Sequence, residues 1–433
     1  MTAGAEMEAL LEKPEIDHLF VEFTDIDGVS RSKQIDADYA RKKWREGFSV
    51  NLLMLAVSSM TDVPENTGYG EAINFADGVA IPDPETCRRL PWREDAARVI
   101  CEFEFRGEPV EVYTRRVLQR VLADAREELG AAFGVGNELE FHLLDSTDDG
   151  YEPVTDHSHE YVTRQTERVR GFYNEMKRWN DAMGVPVESI QHEYGAGQFE
   201  VLFDYAPPLE AADRAFTFRE VTKEAAATEG RKATFMAKPL TDSSANGYHL
   251  HVSAFDGSEN RFADDDSLSA TGEAFVAGLL EHADALVALG CPTINGYKRF
   301  TPGSFSPYTR SWGYNNRTAA IRVPESTPIR IENRIAGAAA NPYLVAAGTL
   351  AAGLHGVRAE LDPEPPVSGD AQGQRPTLPR SPEVALRALE TDEELTAMLG
   401  EEFVDVFTTV KRHELDLFND HVTDWERRYI QVL

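Results

Sequence analysis

Four short segments of this chain set charged side chains two residues apart inside otherwise apolar runs. In Asn137-Glu138-Leu139-Glu140-Phe141 an extended backbone points Glu138 and Glu140 to one face. The segment from Glu193 to Glu200, read as strand-like, adds two more carboxylates. Gly247-Tyr248-His249-Leu250-His251-Val252-Ser253 lines up two imidazoles with a hydroxyl, and Arg330-Ile331-Glu332-Asn333-Arg334 sets a carboxylate between two guanidinium groups. Any one such row is most often an ordinary polar strand face. Four of them are hard to accommodate as surface decoration, because carboxylates sharing a face repel unless a cation or a proton intervenes. Carboxylates with an occasional imidazole suit Mg2+ or Mn2+. The three cysteines, Cys87, Cys101 and Cys291, form no CxxC pair that would suggest structural zinc.

Arginines supply the complementary charge. Arg299, Arg317, Arg322, Arg330 and Arg334 fall in one stretch together with Glu332. Planar guanidinium groups bind phosphate and carboxylate through paired hydrogen bonds. Divalent metal facing several arginines is what phosphoryl transfer to an anionic acceptor requires, since that chemistry is mainly positioning and charge neutralisation. Other chemistries find no support. His413-Glu414 lacks the second histidine of a zinc protease helix, and neither a GxxxxGK[ST] nor a GxGxxG loop occurs. His18, His142, His157, His159 and His192 show no partner pattern and read as structural or surface residues.

The elements that must hold these rows can be read from periodicity. Residues 19–24 and 29–35 are β-prone and flank Asp27-Gly28, a hairpin signal, and 96–105 reads as another strand. Residues 114–130 space their apolar positions as an amphipathic helix ending at Gly130, and 214–230 reads as a second helix. These features predict an α+β protein with a small N-terminal β-rich domain over residues 1–108 and a larger domain over 109–433, as suits a 433-residue chain. The Pro- and Gly-rich stretch 363–382 reads as a surface loop before terminal helices. A net charge of −31, with 10 lysines against 33 arginines, disfavours nucleic acid and anionic lipid as partners and resembles the surfaces of salt-adapted proteins. Neither an export signal nor a membrane span is apparent, and unpaired cysteines suit a reducing compartment, so the cytoplasm is expected.

Taken in order, 137–141, 193–200, 233–239, 247–253, 295–307, 315–324, 330–334 and 338–356 resemble the glutamine synthetase family along most of the chain. The resemblance implies a small β-grasp domain and a catalytic domain with a curved antiparallel sheet. It also implies a ring-shaped homo-oligomer, a dodecamer or similar, with active sites between subunits. Glu140, Glu193 and Glu200 would hold one divalent ion, Mg2+ or Mn2+, and Glu138, His249 and Glu332 a second. His251, Ser253, Arg317, Arg322 and Arg330 would contact ATP or the transferring phosphoryl group. Arg299 and Arg334, with Glu140 and His249 nearby, would hold glutamate. Arg299, Arg317 and Arg322 would be the catalytic arginines.

The same resemblance locates a departure. Ammonia-using members carry an Asp where this chain has Ala56 and a Glu where it has Phe305, while Ser244 and Ala245 replace a more usual Asn-Gly. Tyr161 aligns with an amine-site tyrosine. Loss of two anions weakens attraction for NH4+, and an aromatic ring beside a small side chain leaves apolar volume for a longer amine. The pattern resembles the branch that makes γ-glutamyl amides of putrescine, other polyamines or alkylamines. Ammonia-dependent glutamine synthesis and a catalytically silent metal- and nucleotide-binding regulator are the alternatives. No Tyr lies between Tyr343 and Tyr429, so the family's adenylylation tyrosine has no counterpart.

The charge imbalance makes a direct prediction. Screening length falls from about 10 Å at 0.1 M salt to about 3 Å at 1 M, so self-repulsion weakens as KCl is added. The melting temperature is expected to rise between low and molar KCl in a thermal scan; a flat or falling Tm contradicts this.

Overall fold

The computed structural model describes residues 2–148, 150–156 and 160–433; His157 and His159 lie outside them. The first sheet is built from β1 (His18–Thr24), β2 (Ser30–Asp36), β3 (Phe48–Asn51), β4 (Asp77–Pro82) and β5 (Ala96–Phe105). Their order is β2-β1-β5-β4-β3, with β1 and β5 parallel and the short strands Arg88–Arg89 and Glu108–Pro109 paired to β5. Apolar alternation drives β1, where Leu19, Val21 and Phe23 are buried. The β1–β2 hairpin forms as its sequence implies, but through a five-residue loop that the Asp25 carboxylate organises. Asp25 accepts from the Asp27 and Val29 amides at 3.0 and 2.9 Å and from Arg31 at 2.8 and 2.9 Å. Gly28 sits at φ +81°, and a Cβ there would lie 2.9 Å from the Asn341 Cα. Only glycine meets both demands.

A helix, α1 (Thr114–Leu129), follows and ends on Gly130 in the left-handed conformation. The second sheet is long and curved. It contains β6 (Ala132–Thr147), β7 (Val187–His192), β8 (Gln198–Ala206), β9 (Tyr248–Asp256), β10 (Trp312–Tyr314), β11 (Ile321–Val323) and β12 (Ile331–Asn333) in the order β7-β8-β6-β9-β12-β11-β10. All neighbours on this path are antiparallel except β10 and β11. The period-two pattern sorts the two faces. Phe133, Val135, Leu139, Phe141 and Leu143 of β6 are buried in the core, as are Phe199, Val201 and Phe203 of β8 and Tyr248, Leu250 and Val252 of β9. The alternate positions carry the charged rows.

Helices back the core face. One is α2 (Pro208–Thr228), which begins before the expected 214–230 helix, ends two residues short of it and packs on β6; another is α3 (Pro342–Arg358), packed on α1 and α2. Both start with Pro in the first turn, and Asn341 caps α3 by accepting from the Tyr343 amide. The terminal helices are Pro382–Glu390, Glu393–Leu399 and α4 (Glu401–Asp420). No helix among the described residues is long and apolar enough to cross a membrane.

Two buried charge networks join the first sheet to the rest. Arg115 of α1 donates to Asp83 at 2.7 Å and to Asp213 of α2 at 3.0 and 2.9 Å, and also meets Glu102. The Tyr343 hydroxyl donates to the same Asp213 at 2.6 Å. At the other junction, Lys411 of α4 is buried between Asp27 of the hairpin loop and Glu414, donating to the latter at 2.6 Å. Asp27 and Glu414 both accept from the Ser59 amide, at 2.9 and 3.1 Å. Burial and the nearby Asp27 raise Glu414 to about 7. Removing a partner from a buried ion pair costs more than the pair itself contributes. Lys411→Met is therefore expected to destabilise the fold by about 3–5 kcal/mol in urea titration. A change within experimental error removes this junction from the account of stability.

Candidate active site

The inward face of the curved sheet brings the rows together by register. Glu200 lies opposite Glu140, His249 opposite Glu138, and Glu332 lies opposite both His251 and Arg322. Cross-strand like charges such as Glu140 and Glu200 are destabilising unless something between them is positive. Glu193 is not on a strand. Residues 193–197 form the turn between β7 and β8, and β8 begins only at Gln198, so the segment expected to be a continuous strand is half turn. Gly195 and Gly197 break the ladder there, and Gly197 takes φ +69°.

Ligand atoms of Glu138, Glu200 and His249 all lie within 4.8 Å of one another, and so do those of Glu138, His251 and Glu332. Glu138 is common to both groups. It accepts from His251 Nε2 at 2.8 Å and from His249 Nδ1 at 3.2 Å. Arg330 Nε donates to His251 Nδ1 at 3.2 Å, which directs the His251 proton to Nε2 and towards Glu138. Glu332 accepts from Arg322 at 2.8 Å and from Arg334 at 2.5 Å. Two residues that the sequence did not single out complete the set. Gln191 donates to Glu193 at 2.8 Å and to Glu200 at 2.7 Å, while Gln198 donates to Glu140 at 2.9 Å. Both are neutral, so the spacing of charges does not mark them, although Gln198 lies within the 193–200 segment.

The carboxylates divide electrostatically. Burial pushes Glu138 up, but hydrogen bonds from His249 and His251 outweigh it and hold the group well below the usual range. Burial likewise opposes the charge on Glu332, yet Arg334 and the two histidines bring it down to about 2. Glu140 rises to about 7 through burial and the neighbouring Glu193. Glu200 rises well above its usual value through burial and the charges of Glu138 and Glu140. Burial and then Arg334 depress His249 to about 4, keeping it neutral and able to donate a lone pair. An incompletely neutralised group of carboxylates with a neutral imidazole fits a hard divalent cation. Arginine nitrogens point the same way for anions: the buried Nε atoms of Arg299, Arg322 and Arg334 have no hydrogen-bond partner among the described residues.

Cavities open on both sides of this cluster. One, of about 360 Å3, is bounded by Gly134, Glu138, Tyr205, His251, Ser253 and Arg330. The other, of about 410 Å3, is bounded in part by Glu140, Glu193, Ser244, Arg299, Phe305 and Arg334. Arg299 is buried and donates to the Ile335 carbonyl at 2.8 Å. Phe305 is 64% exposed on the 301–307 loop, and its carbonyl accepts from Arg334 at 3.5 Å. Arg317 is exposed and acts electrostatically on Tyr161 and Glu193. Tyr161 is 61% exposed, adopts φ +58°, and donates its amide to the His192 carbonyl at 3.1 Å. Ala56 is fully buried with the core of the first sheet. Among the described residues lining the Phe305 cavity, neither Ala56 nor Tyr161 appears. Tyr161 nonetheless lies within electrostatic reach of Glu193 on the wall of that cavity.

A concave sheet that gathers carboxylates and imidazoles beside unpartnered guanidinium nitrogens defines an enzyme that handles polyanionic substrates with the help of divalent metal. The family profile described as glutamine synthetase, catalytic domain, matches residues 111–430. The chain is 35% identical to the glutamine synthetase of Halobacterium salinarum over 444 residues, covering 97% of this chain and 95% of the relative. It is 33% identical to the glutamate–isopropylamine ligase of a Pseudomonas species, covering 98% and 97%. The solved structure described as "Apo GmaS without ligand" matches with TM-score 0.88 at 32% identity, over 98% of this chain and 99% of that one. The chain belongs to the glutamine synthetase family and is an ATP-dependent ligase of that family, whose members join amines to glutamate with divalent metal.

A cation that relieves the carboxylate repulsion stabilises the folded state by mass action, by about 2.7 kcal/mol at a hundred times its Kd. Adding MnCl2 or MgCl2 is expected to raise Tm in wild-type protein and to leave Tm unchanged in Glu138→Ala. An equal metal shift in both proteins removes Glu138 from the cation site.

Proposed function

We propose that the protein ligates putrescine, or another polyamine or alkylamine, to the γ-carboxylate of glutamate at the expense of ATP. The observation that carries this reading is Phe305, an exposed aromatic side chain on the cavity that also holds Glu140, Glu193 and Arg334. Ammonia-using relatives carry a carboxylate in its place. An aromatic face attracts alkylammonium groups and leaves room for a methylene chain.

In this reading glutamate occupies the Phe305 cavity, with Arg299 and Arg334 on its carboxylates. ATP occupies the opposite cavity, where His251, Ser253 and Arg330 meet the phosphates and Tyr205 offers a face to the base. One divalent ion would be held by Glu140, Glu193 and Glu200 and another by Glu138, His249 and Glu332, whereas the ligand atoms within 4.8 Å of one another are those of Glu138, Glu200 and His249 and of Glu138, His251 and Glu332. When bound, these ions neutralise charge on the phosphates and the γ-carboxylate. Arg317 and Arg322 stabilise the phosphoryl group as it passes from ATP to the γ-carboxylate oxygen. ADP leaves, and γ-glutamyl phosphate remains. The neutral amine attacks the carbonyl carbon, the carbon–oxygen bond to phosphate breaks, and the amine loses a proton. Placement of Ala56 away from Phe305 within one chain supports a site completed by a neighbouring subunit in a ring-shaped homo-oligomer. It also fits a division of the chain into domains over 1–108 and 109–433. The acidic, low-lysine surface supports a cytoplasmic, salt-adapted protein.

A competing reading, ammonia-dependent glutamine synthesis, is favoured by the similarity to the halobacterial enzyme. Glutamate-dependent phosphate release from ATP separates the two when ammonia, methylamine, ethanolamine, putrescine and spermidine are compared. Wild-type kcat/KM is expected to be at least about tenfold higher for a larger amine than for ammonia, a difference of about 1.4 kcal/mol. Phe305→Glu, alone or with Ala56→Asp, is expected to shift the ratio towards ammonia. If wild-type protein uses ammonia better than every larger amine, the glutamine synthetase reading replaces this one; no turnover with any amine leaves the silent regulator.

A further inference from the structure

The 242–246 loop forms one wall of the Phe305 cavity through Asp242, Ser243, Ser244 and Ala245. Beneath it lies His142, wholly buried on the inward face of β6 two residues beyond Glu140. Both ring nitrogens are used on the loop: Nδ1 lies 2.9 Å from Asn246 Oδ1 and Nε2 lies 2.9 Å from Ser243 Oγ. The Asn246 amide nitrogen donates to the Met236 carbonyl at 2.9 Å, so its oxygen faces the imidazole. Nδ1 therefore carries the proton and donates to Asn246, and Nε2 accepts from the Ser243 hydroxyl.

Ser243 is also the point on which the Glu193 turn rests. A Cβ at Gly195 would lie 2.6 Å from Ser243 Oγ, so the turn packs directly on the hydroxyl that His142 holds. Lys238 Nζ donates to the Ser243 carbonyl, and Gln198 ties the loop to the site by donating to the Ala245 carbonyl at 2.9 Å. One imidazole thus fixes both ends of a short loop that bears no charge of its own towards the cluster at Ser243, Ser244, Ala245 or Asn246.

We propose that His142 is a positioning residue for the amino-acid substrate. By bonding Ser243 and Asn246 at once, it sets the position of Ser244 and Ala245 at the cavity wall and so governs affinity for glutamate without touching it. The proposal rests on the assignment of glutamate to this cavity. A side chain that shapes a binding wall changes KM for the substrate it contains, whereas one that disturbed Glu140 and its metal would lower kcat and change metal dependence.

The test replaces His142 with Phe, which keeps ring volume and removes both hydrogen bonds, and Ser243 with Ala, which removes one. Each variant is expected to raise KM for glutamate about tenfold while kcat, KM for ATP and half-saturating Mn2+ stay within about threefold of wild type. The double variant is expected to be no worse than His142→Phe alone, since both remove the same contact. Hydrogen exchange of amides 242–246 is expected to accelerate in both single variants while amides of α2 remain protected. Should wild-type protein show no glutamate-dependent turnover, the functional reading fails, and the exchange measurement decides the loop role by itself. Unchanged glutamate KM with unchanged exchange in Ser243→Ala overturns the proposal, including when His142→Phe does not fold. A fall in kcat with altered Mn2+ dependence and unchanged glutamate KM also overturns it, because His142 then acts on Glu140.

Discussion

Mutual repulsion among carboxylates on one sheet face is the constraint around which this protein is organised. Glu138 and Glu140 of β6, Glu200 of β8 and Glu332 of β12 lie on one face of the same sheet, and their register leaves them no means of separating. Histidines answer Glu138, arginines answer Glu332, and glutamines brace Glu140 and Glu200 without neutralising them. The result is a graded site. Histidine and arginine partners favour the ionised forms of Glu138 and Glu332, while burial and neighbouring negative charge disfavour ionisation of Glu140 and Glu200. The apolar core beneath makes this arrangement affordable, since every second residue of β6, β8 and β9 is committed to packing.

Placement of the two cavities follows from the same geometry. Successive inward positions of β6 face different spaces: Gly134, Gly136 and Glu138 bound one, and Glu140 bounds the other. A ligand on either side therefore meets the shared cluster from opposite directions, which is the relation an in-line transfer between two bound anions needs. Preorganised arginines at Glu332 add positive charge without requiring the backbone to move.

Much of this could be read before any coordinates. Period-two spacing assigned faces to Glu138, Glu140, His249, His251, Ser253 and Glu332, because strand geometry is local and strict. Asp27-Gly28 announced the first hairpin and Gly130 the end of α1 for the same reason. The reading of 193–200 as continuous strand missed that its glycines open a turn, which is what brings Glu193 round to the cluster. His142 was passed over as merely structural, since its partners Ser243 and Asn246 come from a loop about a hundred residues away and no spacing relates them. Gln191 and Gln198 escaped for a like reason: a neutral amide acquires meaning only from what surrounds it. The relation of Ala56 to Phe305 was legible as chemistry but not as geometry within one chain.

The buried contact between Asp27 and Lys411 carries an implication for how the molecule is made. Synthesis on the ribosome delivers the hairpin early and α4 late, so the loop carboxylate must wait for nearly the entire polypeptide before its countercharge emerges. Until then the Asp27 carboxylate lacks the Lys411 countercharge that accompanies its burial in the complete fold. The seam at the hairpin loop is thus completed only by a segment that is synthesised late.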